Sequence, residues 1–94
     1  MNKSLQSIAK ALSHKEESFK DIMINGIKTN SLDIEKGDLF IAIKGHNKDG
    51  HDFIFDAINS GANAIISNGR SIGKVKVPQI KVANPRRAAS LVAA

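Results

Sequence analysis

Apolar positions recur along the chain with two different spacings. Leu5, Ile8, Ala9 and Leu12 fall at i, i+3, i+4 and i+7, the spacing of one helical face, and Ser4 stands where an N-cap belongs; a helix is predicted over residues 4–13. The polar stretch 13–18 reads as an exposed connection. Residues 19–27 (FKDIMINGI) alternate only in part, which predicts an irregular strand bent at Asn25-Gly26, a turn dipeptide. The clearest signal follows. Gly37-Asp38 turns the chain into Leu39-Phe40-Ile41-Ala42-Ile43, an unbroken apolar run. A run of this length between turn signals reads as a strand buried on both faces, as in a parallel sheet covered by helices.

After that strand comes the polar, glycine-bounded loop Lys44–Gly50. Loops at the carboxyl ends of strands are where open α/β sheets bind ligands. Asp49 suits a helix N-cap, Asp52 suits the first turn, and Phe53, Ile54, Ala57 and Ile58 form an apolar face that stops at Gly61. Residues 62–69 predict a short strand ending in Asn68-Gly69. Residues 70–77 read as a basic surface loop, and residues 77–82 as a third strand with Pro78 at its edge. Asn84-Pro85 is a cap followed by a first-turn proline. It opens a final helix whose apolar face, near Leu91 and Val92, is expected to be exposed. That helix carries no stop signal, so the chain is expected to be the N-terminal piece of a longer protein. The alternation predicts an α/β fold, a small sandwich with a mostly parallel sheet flanked by helices.

Composition narrows the functions open to such a domain. The chain has 94 residues, 41% of them hydrophobic, which fits one packed domain, residues 1–94. It has no cysteine, hence neither disulfides nor thiolate metal sites. No apolar run is long enough for a membrane helix and no secretory signal is visible; the expected location is cytoplasmic, with no membrane partner. The net charge of +5 permits nucleic acid as a partner, but the basic residues are scattered and the 4% aromatics are all Phe. There is no stacking platform for single-stranded bases, and no nucleic-acid partner is expected.

Candidate chemistry is sparse. His46, Asp49, His51 and Asp52 crowd one segment, but the spacing matches no standard metal motif, and no metal site is expected. His51 is expected to cap or pack at the helix start, and His46 to contact a ligand. Neither a phosphate loop nor a dinucleotide fingerprint is present, and no nucleophile–base pair is visible. The segment alone is expected to lack catalytic residues.

The string T-N-S-x-x-I-x-x-G-D-L-F-I-A-I-K-G, continued by D-G-H-D-F-I-x-x-A-I-x-x-G-A-x-A-I-I, resembles the N-terminal, UDP-sugar-binding domain of the Mur ligases. The resemblance runs from about Ile27 to Ala94. It implies ATP-dependent peptide-bond formation in peptidoglycan synthesis, with this domain binding the uridine-diphosphate end of a UDP-MurNAc-peptide. ATP and Mg2+ would then serve the parent enzyme, on central and C-terminal domains beyond residue 94. The resemblance is stronger to the member that adds the third residue, diaminopimelate or lysine, to UDP-MurNAc-L-Ala-D-Glu, because of Arg86 and Arg87 at the start of the last helix. The member that adds D-Ala-D-Ala is the alternative, and a stand-alone basic module for an anionic polymer is a reading of another class. Carried over by position, Thr29 and Ser31 match the family's uracil and diphosphate contacts, and His46, Asn47 and Lys48 match its uridine-diphosphate loop. Asn30 and Leu32 stand where the family has Asp and Arg.

Overall fold

The computed structural model describes residues 3–12, 21–45, 47–69 and 75–92. Two short strands, β1 (Lys3–Ser4) and β2 (Met23–Ile24), pair antiparallel. Between them lies helix α1 (Leu5–Ala11), capped by Ser4, whose hydroxyl accepts from the Ser7 amide at 3.2 Å. Four further strands form a wholly parallel sheet: β3 (Ile27–Lys28), β4 (Leu39–Ile41), β5 (Ala64–Ser67) and β6 (Gln79–Lys81). Their order in the sheet is their order in the chain. Helix α2 (Ile54–Asn59) links β4 to β5, and α3 (Pro85–Val92) follows β6. The α/β architecture and the mainly parallel sheet are as predicted.

The apolar run sits at the centre of this sheet. Leu39 pairs with Ile27 on one side and Ala64 on the other. The ladder takes in Leu39–Ile41 only, although the Ala42 amide still donates to Ile66 O at 2.8 Å. Because successive side chains point to opposite faces, the run feeds two cores. Leu39 and Ile41 join Ile66 and Ile80 beneath α1 and α3, and Phe40 and Ala42 join Ile65 beneath α2. The final helix differs from its prediction. Val92 is buried against the α1 side of the core, and only Leu91 of the pair stays exposed. An apolar face that looked free in the sequence is covered by the first helix.

The expected bend at Asn25-Gly26 is a switch between sheets: β2 before it belongs to the antiparallel pair, β3 after it to the parallel sheet. Helix α2 ends in a Schellman motif. The Gly61 amide donates to Ile58 O and the Ala62 amide to Ala57 O, each at 3.0 Å, with Gly61 at φ +115°. Helix α3 begins as its signature predicts, with the Arg87 amide donating to Asn84 Oδ1 at 3.2 Å. Asn84→Ala is expected to cost about 1 kcal/mol, read as a shift in the urea midpoint with an unchanged slope.

Candidate functional site

A groove of about 870 Å³ opens beside the carboxyl ends of β3 and β4. Parallel pairing brings the segments after these neighbouring strands out at one edge of the sheet. The first segment contributes Thr29, Asn30, Ser31 and Leu32. Asn30 folds it into a 3-10 turn (Ser31–Asp33) by accepting the Leu32 amide on Oδ1 at 3.0 Å. An aspartate would make the same bond, but asparagine makes it without placing a negative charge beside the groove. The turn leaves Leu32 89% exposed at the groove wall.

The second segment contributes Lys48 and Gly50. It folds back on itself: the Gly45 amide donates to Lys48 O at 2.7 Å, and the Gly50 amide to Ile43 O at 2.8 Å. Lys44 and Asp49 form a bridge across its base. Lys48 Nζ lies 5.9 Å from the centre of the Phe53 ring, which steadies a flexible cation by roughly 0.5–1 kcal/mol at an exposed site. Asp49 caps the turn Gly50–Phe53, accepting the His51 amide at 2.9 Å. His51 packs at this turn, as expected of it, with only 3% of its surface exposed.

The groove therefore brings together Thr29, Ser31 and Lys48 of the residues marked in the sequence. Asn47 is exposed and does not line it, and His46 lies outside the described residues. Sequence reasoning missed the third wall. Asp56, Asn59 and Ser60 line the groove from α2 and its C-cap, with Phe40, Ile43 and Phe53 supplying apolar surface. Their signal was present: Asp56, Asn59 and Ser60 fall at i, i+3 and i+4, a polar stripe on the helix that immediately follows the loop.

The base of the first segment is fixed electrostatically. The buried Asp38 carboxylate accepts from Lys28 Nζ at 2.8 Å and from the Glu35 amide at 2.9 Å. The bond to Asp38 raises the Lys28 pKa above its ordinary value, with smaller help from the charges of Asp38, Glu35 and Asp33 against the opposing effect of burial. A raised pKa means the folded state holds the proton more tightly. The pair's contribution is thus complete below the ordinary lysine value and lost as pH rises through the raised one. Urea midpoints of the chain and of Lys28→Met are expected to differ at neutral pH and to converge in strongly alkaline solution. Lys28 does not line the groove; Lys48 is the cation among the described lining residues, with Asp56 the carboxylate. Among the described residues no cluster of three or more His, Asp or Glu side chains is arranged to hold a metal ion, and no helix is long and apolar enough to cross a membrane.

Residues 23–94 match the family model described as Mur ligase family, catalytic domain. The chain belongs to the Mur ligase family. It is 42% identical over 79 residues to UDP-N-acetylmuramoyl-L-alanyl-D-glutamate--2,6-diaminopimelate ligase of Bradyrhizobium diazoefficiens, covering 84% of this chain and 16% of that one. It is 52% identical over 50 residues to UDP-N-acetylmuramoyl-tripeptide--D-alanyl-D-alanine ligase of Rickettsia prowazekii, covering 53% of this chain and 11% of that one. In three dimensions it matches the crystal structure of MurF from Acinetobacter baumannii with a TM-score of 0.82 at 26% identity, over 98% of this chain and 20% of that one. The chain thus spans a fifth or less of the length of these relatives.

Proposed function

We propose that residues 1–94 are the substrate-anchoring domain of a cytoplasmic Mur ligase and bind the uridine-diphosphate end of UDP-MurNAc-L-Ala-D-Glu. One observation carries this reading. A single groove joins the segments after two neighbouring parallel strands and presents Thr29, Ser31 and Lys48 together. Two hydroxyls and one lysine suit a diphosphate without requiring a metal. The apolar surface of Phe40, Ile43 and Phe53 suits a flat base. In this reading further domains of a longer chain supply the ATP and Mg2+ site and the amino-acid site. The substrate's terminal carboxylate takes a phosphoryl group from ATP, and the incoming amine displaces phosphate. Holding the uridine end remotely converts binding energy into positioning of that carboxylate.

The diaminopimelate- or lysine-adding reaction is favoured by the longer alignment to the diaminopimelate ligase and by Arg86 and Arg87 at the start of α3. The relative that adds D-alanyl-D-alanine and the MurF structure favour the second reading. Both share the uridine end, so the choice falls to full-length enzyme assayed with diaminopimelate, lysine and D-Ala-D-Ala.

Titration calorimetry tests the anchoring role. The chain is expected to release or absorb heat with UDP and with UDP-MurNAc-L-Ala-D-Glu, and to give no steeply salt-dependent binding of an RNA oligomer. Lys48→Ala is expected to weaken UDP binding by about tenfold, the loss of one charge-assisted hydrogen bond. Silence with both uridine ligands, in the presence of RNA binding, would put the basic-module reading in its place.

A further inference from the structure

The turn that carries the lining residues Gly50 and Phe53 also holds a buried polar group that the anchoring role leaves unused. The His51 side chain is wholly enclosed, yet both ring nitrogens have partners. Nδ1 lies 2.6 Å from Asp49 Oδ1, and Nε2 accepts the Asn68 backbone amide at 3.0 Å. A backbone amide can only donate, so Nε2 must present its lone pair. The ring proton then sits on Nδ1, where the Asp49 carboxylate receives it. Asp49 belongs to the folded-back loop after β4, and Asn68 follows β5, the next strand of the sheet. The imidazole is therefore a strut between two loops at the carboxyl edge. Lys48 and Gly50 flank its Asp49 anchor, and both line the groove.

We propose that His51 is a positioning residue for ligand binding: by tying Asp49 to Asn68 it sets where Lys48 and the Gly50 backbone stand at the groove. An apolar side chain could fill the same space but would not fix a direction. A buried imidazole with both nitrogens satisfied allows one orientation, because a rotated ring leaves a polar atom unpaired. Gly50 adds to this constraint. A Cβ there would lie 2.7 Å from Ile43 N and 3.1 Å from Ala42 Cα, so the loop already sits against the backbone just after β4 and has little room to adjust. The inference rests on the proposed uridine site for its ligand, but not for its geometry.

Three variants separate the two halves of the strut. His51→Asn keeps a donor near the Nδ1 position, His51→Gln reaches an acceptor toward the Nε2 position, and His51→Leu fills the space with neither. Two readouts are taken on the 94-residue chain: UDP affinity by calorimetry, and backbone amide resonances without ligand. The expected result is that the resonances of residues 47–50, 68 and 69 move while those of α1 and α3 stay. UDP binding falls about tenfold in His51→Leu and is partly recovered in the Asn and Gln variants. A purely structural role would lower the melting temperature and leave UDP affinity of the folded fraction unchanged, and that outcome overturns the proposal. So would wild-type loop resonances in all three variants. If His51→Leu does not fold, the Asn and Gln variants decide by the same two readouts. If the wild-type chain does not bind UDP, the uridine reading fails by itself, and the loop resonances still decide whether His51 holds the loop.

Discussion

Phe40→Ala is expected to remove about 3–5 kcal/mol of stability, the usual cost of deleting a fully buried phenylalanine ring. Against a total of roughly 5–15 kcal/mol for a domain of this kind, that is a third or more of the stability of a domain near the middle of the range. Phe40 is 1% exposed, in the middle strand of β3-β4-β5, and packs with Ile54, Ala57 and Ile65 under α2. It also lines the groove, so the same truncation opens the groove wall. Phe40→Leu keeps most of the volume and is expected to cost less than about 1.5 kcal/mol. Urea titration with an unchanged slope reads both values. A loss under about 1 kcal/mol for the alanine variant would mean that α2 is not packed on the sheet as described.

Gly61→Ala ranks second, at about 2–4 kcal/mol. Two penalties combine. The Schellman turn holds Gly61 at φ +115°, a conformation that costs an L-residue roughly 1–2 kcal/mol. The added Cβ would also stand 2.7 Å from Lys36 Cα and 3.1 Å from Lys36 N, backbone that cannot step aside cheaply. The Gly37 amide donates to Gly61 O at 2.8 Å, so moving either segment strains the turn that leads into β4. Asparagine, which tolerates left-handed backbone better than most residues, distinguishes the penalties. Gly61→Asn is expected to be no more stable than Gly61→Ala, because the close approach to Lys36 remains. Thermal melts of the two variants check this, and a clearly higher melting temperature for the asparagine variant would assign the cost to backbone conformation alone.

What was legible in the sequence is what repeats or caps. Helix α1 has a full i, i+3, i+4, i+7 stripe and α3 a cap followed by proline, and both form where predicted. The apolar run 39–43 announced a strand buried on both faces, and it feeds both cores. The rest depended on contacts that no local window contains. Strands β1 and β2 are two residues each and pair Lys3 with Ile24, too short for alternation and too far apart for a turn signal. Val92 looked exposed because its partner, α1, lies more than 80 residues earlier. At the groove, the loop residues Thr29, Ser31 and Lys48 were found through the family motif. The α2 wall was missed because Asp56, Asn59 and Ser60 are ordinary polar positions of an amphipathic helix until the sheet brings β3 alongside.

The division of the two cores between opposite faces of the sheet has a practical meaning. Every described residue that lines the groove falls between Thr29 and Ser60, and the core beneath α2 is drawn from residues 34–77. Helices α1 and α3 press only on the other face. Binding and bracing therefore meet at two places only among the described contacts: Ile43, which lines the groove and packs on the α1–α3 core, and Arg86 of α3, which donates to Lys44 O at 3.5 Å. Substitutions on α1, and on α3 away from Arg86, can trade stability up or down, for instance by filling the surface dip between Ala11 and Leu91, while the shape presented to the ligand stays as it is. Such changes should add independently to changes at the groove, which makes the α1–α3 face the place to strengthen this domain before its weaker, more informative groove variants are measured.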